Sequence, residues 1–224
     1  MGYKGGCLDG ENKHHLAVSG KTDLLNLKKE NHKMKVVAFN GSPRRDGNTT
    51  ILIRHVFSEL QKEGIETELV QLSDKAIHGC IACEKCGKNR DQRCAVKNDA
   101  ANEYIEKMIG ADGIILGSPA YLQDVTSEMK ALIERIGHVA ISNGRVMLKD
   151  KVGASLVALR RSGGISSIDT MNHFFLAGQM IIVGQGIAFG RERGEVEKDD
   201  EGMGFVKLLG QRMARLLKKI GSSD

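Results

Sequence analysis

The chain of 224 residues has no tryptophan, two prolines and only 4% aromatic side chains. No stretch approaches the ~18–20 apolar residues of a transmembrane helix, and residues 1–33 offer only short apolar pieces such as "LAV". Neither a membrane span nor a secretory signal is expected, which points to the cytoplasm. One-sided charge is also scarce. The formal net charge of +5 is too small and too scattered to argue for nucleic acid, although it suits a small anionic ligand. Two nucleotide signatures are missing. Gly47 is followed by Asn48 and Thr49, not by the Lys-Ser/Thr of a P-loop, and no Gly-x-Gly-x-x-Gly follows the first apolar run. "GQGIAFG" (184–190) has glycines, but at the wrong final spacing.

What is present is an alternation. Residues 1–33 read as a polar arm, with a short helix at "TDLLNLKKE". From Met34 onward, apolar β-branched runs predict strands at 34–41, 66–72, 113–119, 152–159 and 180–189. Between and after them, 3.6-residue periodicity predicts helices. One over 48–62 aligns Leu52, Val56, Phe57 and Leu60; others cover 102–111 and 166–178. A helix after Thr126, its expected N-cap, carries Met129, Leu132, Ile133 and Ile136. The last carries Phe205, Leu208, Leu209, Met213, Leu216, Leu217 and Ile220, with its Lys and Arg mostly opposite. Five strands alternating with five helices imply an α/β fold: a doubly wound, five-stranded parallel sheet with helices on both faces. Such sheets bind ligands beyond the carboxyl ends of their strands. The domain is expected to span 34–224, with a cysteine-rich insert at 78–98.

The first strand runs into "NGSPRRDGNTT" (40–50), a loop rich in glycine and hydroxyls that opens directly into a helix. A helix N-terminus presents unpaired N–H groups to an anion. Ser42, Asn48, Thr49 and Thr50 add neutral donors, and Arg44 and Arg45 add charge. A phosphate monoester suits this loop better than ATP; a plain N-cap turn is the competing reading.

Four of the five cysteines fall in "CIACEKCGKNRDQRC", with the spacing Cys80-x2-Cys83-x2-Cys86-x7-Cys94. In a reducing compartment, clustered thiols are more often ligands or redox groups than disulfides. Two short gaps fold three thiolates around one turn and the longer return supplies a fourth, an arrangement suited to a [4Fe–4S] cluster. Structural zinc more often uses two Cys-x2-Cys pairs far apart. Cluster, zinc and a metal-free set of cysteines all remain open on spacing alone. Cys7, alone in the polar arm, reads as a bystander.

Together, "KVVAFNGSPRRDGNT", the cysteine cluster and "GIILGSPAYLQDVTSEMKALIER" resemble the flavodoxin-like NAD(P)H-dependent FMN reductase superfamily, and within it the iron–sulfur flavoproteins. The likeness runs over residues 34–190. It implies a flavodoxin-like fold and FMN as cofactor. It also implies a phosphate loop at Ser42, Arg44, Asn48, Thr49 and Thr50. A second flavin loop is implied at Ser118, Pro119, Ala120, Tyr121 and Leu122. A third, less well matched, falls at Arg161, Ser162, Gly163 and Gly164. The same likeness implies that Cys80, Cys83, Cys86 and Cys94 ligate a [4Fe–4S] cluster. It further implies an oxidoreductase that exchanges electrons with NAD(P)H or a carrier such as ferredoxin, as a homodimer or homotetramer. Two rival expectations are a cluster-free FMN or quinone reductase and a zinc-stabilised phosphate- or nucleotide-binding module.

Overall fold

The structure, a computed structural model, describes residues 33–222. The expected arm, its short helix and Cys7 lie outside the described residues. Five strands, β1 (Lys35–Asn40), β2 (Glu66–Gln71), β3 (Gly113–Pro119), β4 (Val152–Leu159) and β5 (Ile181–Phe189), form one sheet in the order β2-β1-β3-β4-β5. Every pairing is parallel. Six α-helices accompany them: α1 (Asn48–Lys62), α2 (Lys85–Asn89), α3 (Ala101–Ile109), α4 (Ser127–Ser142), α5 (Gly164–Ala177) and α6 (Asp200–Gly221). This is the expected flavodoxin-like architecture, with one short helix more than the sequence periodicity announced. At five residues α2 is too short to show a period.

Strand alternation sorts the core into two layers. Val36 and Ala38 of β1 join Ile115 of β3 and Leu156 of β4 in a cluster that takes in Leu52, Val56 and Leu60 of α1 and Val206, Met213 and Leu217 of α6. Val37 and Phe39 point the other way, with Ile114, Leu116 and Val157, toward α3, α4 and α5. Phe39 meets Tyr104 of α3 edge to face at 5.6 Å between ring centroids. Both faces of the central strands are therefore dry, which is why β3 and β4 read as unbroken apolar runs. Phe205 and Leu208, expected on the buried stripe of α6, are instead exposed at 56% and 37%. The helix rests on Val206, Leu209, Met213 and Leu217, and successive residues turn by about 100°, so these two fall beside the contact line.

The chain runs from β1 outward to β2 and then crosses back to β3, so the strand order reverses between β1 and β3. The crevice above that pair is where an open α/β sheet offers a ligand site. Among the described residues no helix is long and apolar enough to cross a membrane.

Candidate flavin crevice and cysteine cavity

Three loops leave the carboxyl ends of β1, β3 and β4. The first, 41–47, is fixed from within. Asn40, fully buried, gives one Nδ2 hydrogen to Thr50 Oγ1 (2.9 Å) and the other to Gln71 Oε1 (2.8 Å), while its Oδ1 accepts from the Ser42 amide (3.0 Å). Gln71 donates to the Ser42 carbonyl, and the Ser42 hydroxyl accepts from the Arg44 amide at 3.2 Å. Helix α1 then starts at Gly47 with no side-chain cap and no acidic residue in its first turn. The hydroxyl of Thr49 is buried and lacks any hydrogen-bond partner. Native proteins seldom leave such a group alone, because an unmet buried hydroxyl costs roughly 1–3 kcal/mol. Its methyl is pinned against β3, where a Cβ on Gly117 would stand 3.2 Å from it.

The remaining loop residues divide their work. Thr50 passes its hydroxyl proton to the Arg45 carbonyl at 2.5 Å and so faces inward; only its amide is left for a ligand. Asn48 turns its side chain toward 190–194, donating to Glu192 O (2.9 Å) and accepting from the Gly194 amide (2.7 Å). Its contribution to a phosphate would likewise come from the backbone. Arg44 is exposed.

The second loop hangs on a small network. Thr126 caps α4 by accepting from the Met129 amide, and its hydroxyl donates to Gly41 O at 2.8 Å, tying this loop to the first. Ser118, fully buried, accepts from the Thr126 amide at 3.1 Å. Beyond it the Ala120 amide donates to Ala158 O (3.1 Å), and the Tyr121 and Asp124 backbones pair with each other. Leu122 and Gln123 adopt left-handed φ of 48° and 74°, which pushes Tyr121 (47% exposed) and Leu122 (101%) out of the protein.

The third loop is docked onto the second. Gln123 donates to Ser162 Oγ at 3.0 Å, and the Ser166 hydroxyl donates to Gln123 O. Gly163 sits at φ +89°, and a Cβ there would come within 2.7 Å of Gln123 Cα, so glycine is needed for two reasons. Two concavities of about 340 Å³ flank this junction, sharing Gln123, Arg161 and Ser162. Gly164 is buried as the first residue of α5.

The cysteines lie elsewhere. All four line one cavity of about 340 Å³, walled also by Arg135, His138, Val139 and Ser142 of α4. The thiols are free; Cys94 is buried and the other three are partly so. Left-handed residues punctuate the loop: Ala82 (φ 51°) between Cys80 and Cys83, Glu84 (57°) between Cys83 and Cys86, then Arg90 (52°) and Gln92 (57°). Each costs a non-glycine residue about 1–2 kcal/mol, and such strain concentrates at functional sites. The return to Cys94 is held by Asn102, which accepts from the Cys94 amide (2.8 Å) and donates to its carbonyl (2.9 Å). Arg135 and Asp99, with their side chains both buried, form a two-pronged ion pair at 2.9 and 3.1 Å. Among the described residues no three His, Cys, Asp or Glu side chains converge as one metal ion would require. A cuboidal cluster makes a different demand, since each thiolate takes its own iron and the sulfurs stand around a cavity.

Several supporting residues escape a sequence reading. Asn40 and Gln71 end strands and look like ordinary turn residues. Arg135 left a trace: it interrupts the apolar stripe of α4 four residues before Val139.

Comparison with known proteins follows the same lines. Residues 34–193 match the family described as NADPH-dependent FMN reductase. An iron-sulfur flavoprotein of Methanocaldococcus jannaschii is 36% identical over 197 residues, covering 84% of this chain and 99% of that protein. One from Methanosarcina thermophila is 33% identical over 190 residues, covering 84% and 97%. Among solved structures, RosB with a bound 8-demethyl-8-formylriboflavin-5'-phosphate intermediate has a TM-score of 0.67 at 18% identity, over 84% of this chain and 81% of its own, a likeness of fold. This chain thus belongs to the NADPH-dependent FMN reductase family: it is an FMN-binding oxidoreductase of flavodoxin-like fold, with iron–sulfur flavoproteins among its relatives.

Proposed function

We propose that the protein passes electrons between FMN and a [4Fe–4S] cluster ligated by Cys80, Cys83, Cys86 and Cys94. The observation that carries this reading is the single cavity lined by all four thiols. When bound, FMN exchanges two electrons or one and the cluster exchanges one, so the pair joins two-electron to one-electron chemistry. The chain's part is to bind, orient and tune. The unpaired Thr49 hydroxyl, the Ser42 hydroxyl and the amides of Asn48, Thr49 and Thr50 hold the FMN phosphate, with Arg44 adding charge from the rim. Pro119, Ala120, Tyr121 and Leu122, on the loop anchored by buried Ser118, flank the flavin ring on one side, and Arg161, Ser162 and Gly163, just ahead of buried Gly164, on the other. Arg160 and Arg161, exposed beside it, offer positive charge to NAD(P)H or to an acidic carrier such as ferredoxin.

The cavity lies nine to sixteen residues past Thr126 along α4, about 14–24 Å down the helix axis from the crevice loops. That separation favours a homodimer or homotetramer in which one copy's cavity faces another copy's crevice. The family's own activity favours a second reading, a cluster-free NAD(P)H-dependent reductase of FMN or a quinone. Anaerobic reconstitution with iron and sulfide separates them. The expected result is broad visible absorbance beside the flavin bands in wild type, lost in Cys86→Ser while FMN stays bound. FMN binding with no iron uptake by wild type would leave the reductase reading.

A further inference from the structure

The wall of the cysteine cavity contains a buried cation. Arg135 is 2% exposed, in the middle of a helix face otherwise built of Leu132, Ile136 and Val139. Burying a guanidinium costs several kcal/mol unless anions and acceptors surround it. Its terminal nitrogens are satisfied: Nη1 donates to Asp99 (2.9 Å) and to the His78 carbonyl (3.0 Å), and Nη2 donates to Asp99 (3.1 Å). Asp99 in turn accepts from the His78 amide at 3.3 Å, and its other oxygen accepts from the Ala101 amide at 3.2 Å. The fork therefore clamps both ends of the segment that carries the four thiols, at His78 and at Asp99. The third nitrogen is different. Nε is buried and has no partner. Cys94 lines the same cavity wall as Arg135. Asp99 alone would balance the charge; an unmet N–H in a cavity wall beside a thiol calls for a further acceptor.

We infer that Arg135 is a positioning and tuning residue for the iron–sulfur site: its fork fixes the cysteine segment, and its remaining N–H and charge act on the ligating sulfurs. This rests on the cluster reading above. Reduction adds one electron from a one-electron donor, with no bond made or broken, and makes the site one unit more negative. A fixed cation and a donor to sulfur stabilise that state over the oxidised one and so raise the reduction potential. Lysine would keep the charge but not the fork. Removing the charge of Asp99 would leave the cation less balanced and act in the opposite sense.

The test uses full-length protein, reconstituted anaerobically and titrated with dithionite under electron paramagnetic resonance. Iron and sulfide are counted, and thermal unfolding of the cluster-free protein is followed in parallel. Arg135→Gln should make cluster reduction at least tenfold less favourable, a fall of 59 mV for a one-electron couple. Arg135→Lys should fall by less, and Asp99→Asn should rise. Unchanged potentials across the set, with only a lower Tm, would make Arg135 a purely structural residue and overturn the inference. Should Arg135→Gln fail to fold, the opposite signs for Arg135→Lys and Asp99→Asn decide it: equal potentials or shifts of the same sign overturn it. A wild-type protein that takes up no iron and sulfide overturns the cluster reading itself, a result distinct from a cluster with an unmoved potential.

Discussion

Two residues at the crevice loops carry opposite kinds of cost. Thr49 keeps a buried hydroxyl without a partner, so in the ligand-free protein the group is a burden. Thr49→Val has the same shape without the hydroxyl. The ligand-free variant should melt at the same temperature as wild type or higher, while FMN affinity should drop about tenfold or more, since a hydrogen bond to a charged group is worth ~1.5–3 kcal/mol. Riboflavin, which has no phosphate, should bind both proteins alike; equal losses for FMN and riboflavin would put the phosphate elsewhere. Gly163 carries its cost only when replaced. Gly163→Ala meets a left-handed φ and the Gln123 backbone at 2.7 Å, so a loss of at least about 1 kcal/mol in stability is expected. Weaker FMN binding should accompany it, as the third loop lifts off the second. A variant with wild-type melting and flavin affinity would show that the junction of the two loops tolerates movement.

The elements were far easier to read than the loops. A buried parallel strand must be apolar on both faces, so "VVAF" and "GIIL" announce themselves, and Thr126 shows its capping role by standing before the apolar stripe of Met129, Leu132 and Ile136. No comparable signal marks which way an isolated polar side chain turns. Asn48 looks like a phosphate donor in sequence, yet its amide group holds the 190–194 loop, 142 to 146 residues away in the chain. Arg135 carries a sign on an apolar face, but its partner Asp99 lies 36 residues back and emerges only when α4 docks. Long-range polar pairing also governs the edge of the sheet. Glu68 on β2 binds Lys107 of α3 and Lys35 of β1. Burial pushes its carboxyl up, but the two ammonium groups outweigh that and hold it below the ordinary glutamate range. A depressed carboxylate stabilises the fold at neutral pH and loses that contribution as pH falls through its folded pKa. Thermal melts from pH 7 down to pH 3 should therefore show Glu68→Gln less stable at neutral pH, with the gap from wild type closing in acid. The partial exposure of all three side chains keeps the effect modest. A gap that is constant with pH would mean the ion pairs contribute nothing.

At the scale of the whole molecule, the two candidate sites are separate: the loops at the carboxyl ends of β1, β3 and β4, and a thiol-lined cavity along the lower part of α4. The first belongs to the fold. The second belongs to the segment between β2 and α3, whose left-handed residues turn its four cysteines toward one space. The proposed function puts one FMN and one [4Fe–4S] cluster at these two sites of the same chain. Native mass spectrometry of protein purified without oxygen weighs that claim directly. Each chain is expected to carry the added mass of one FMN and of four iron and four sulfide. A chain carrying FMN with a single zinc, or FMN and nothing more, would contradict it.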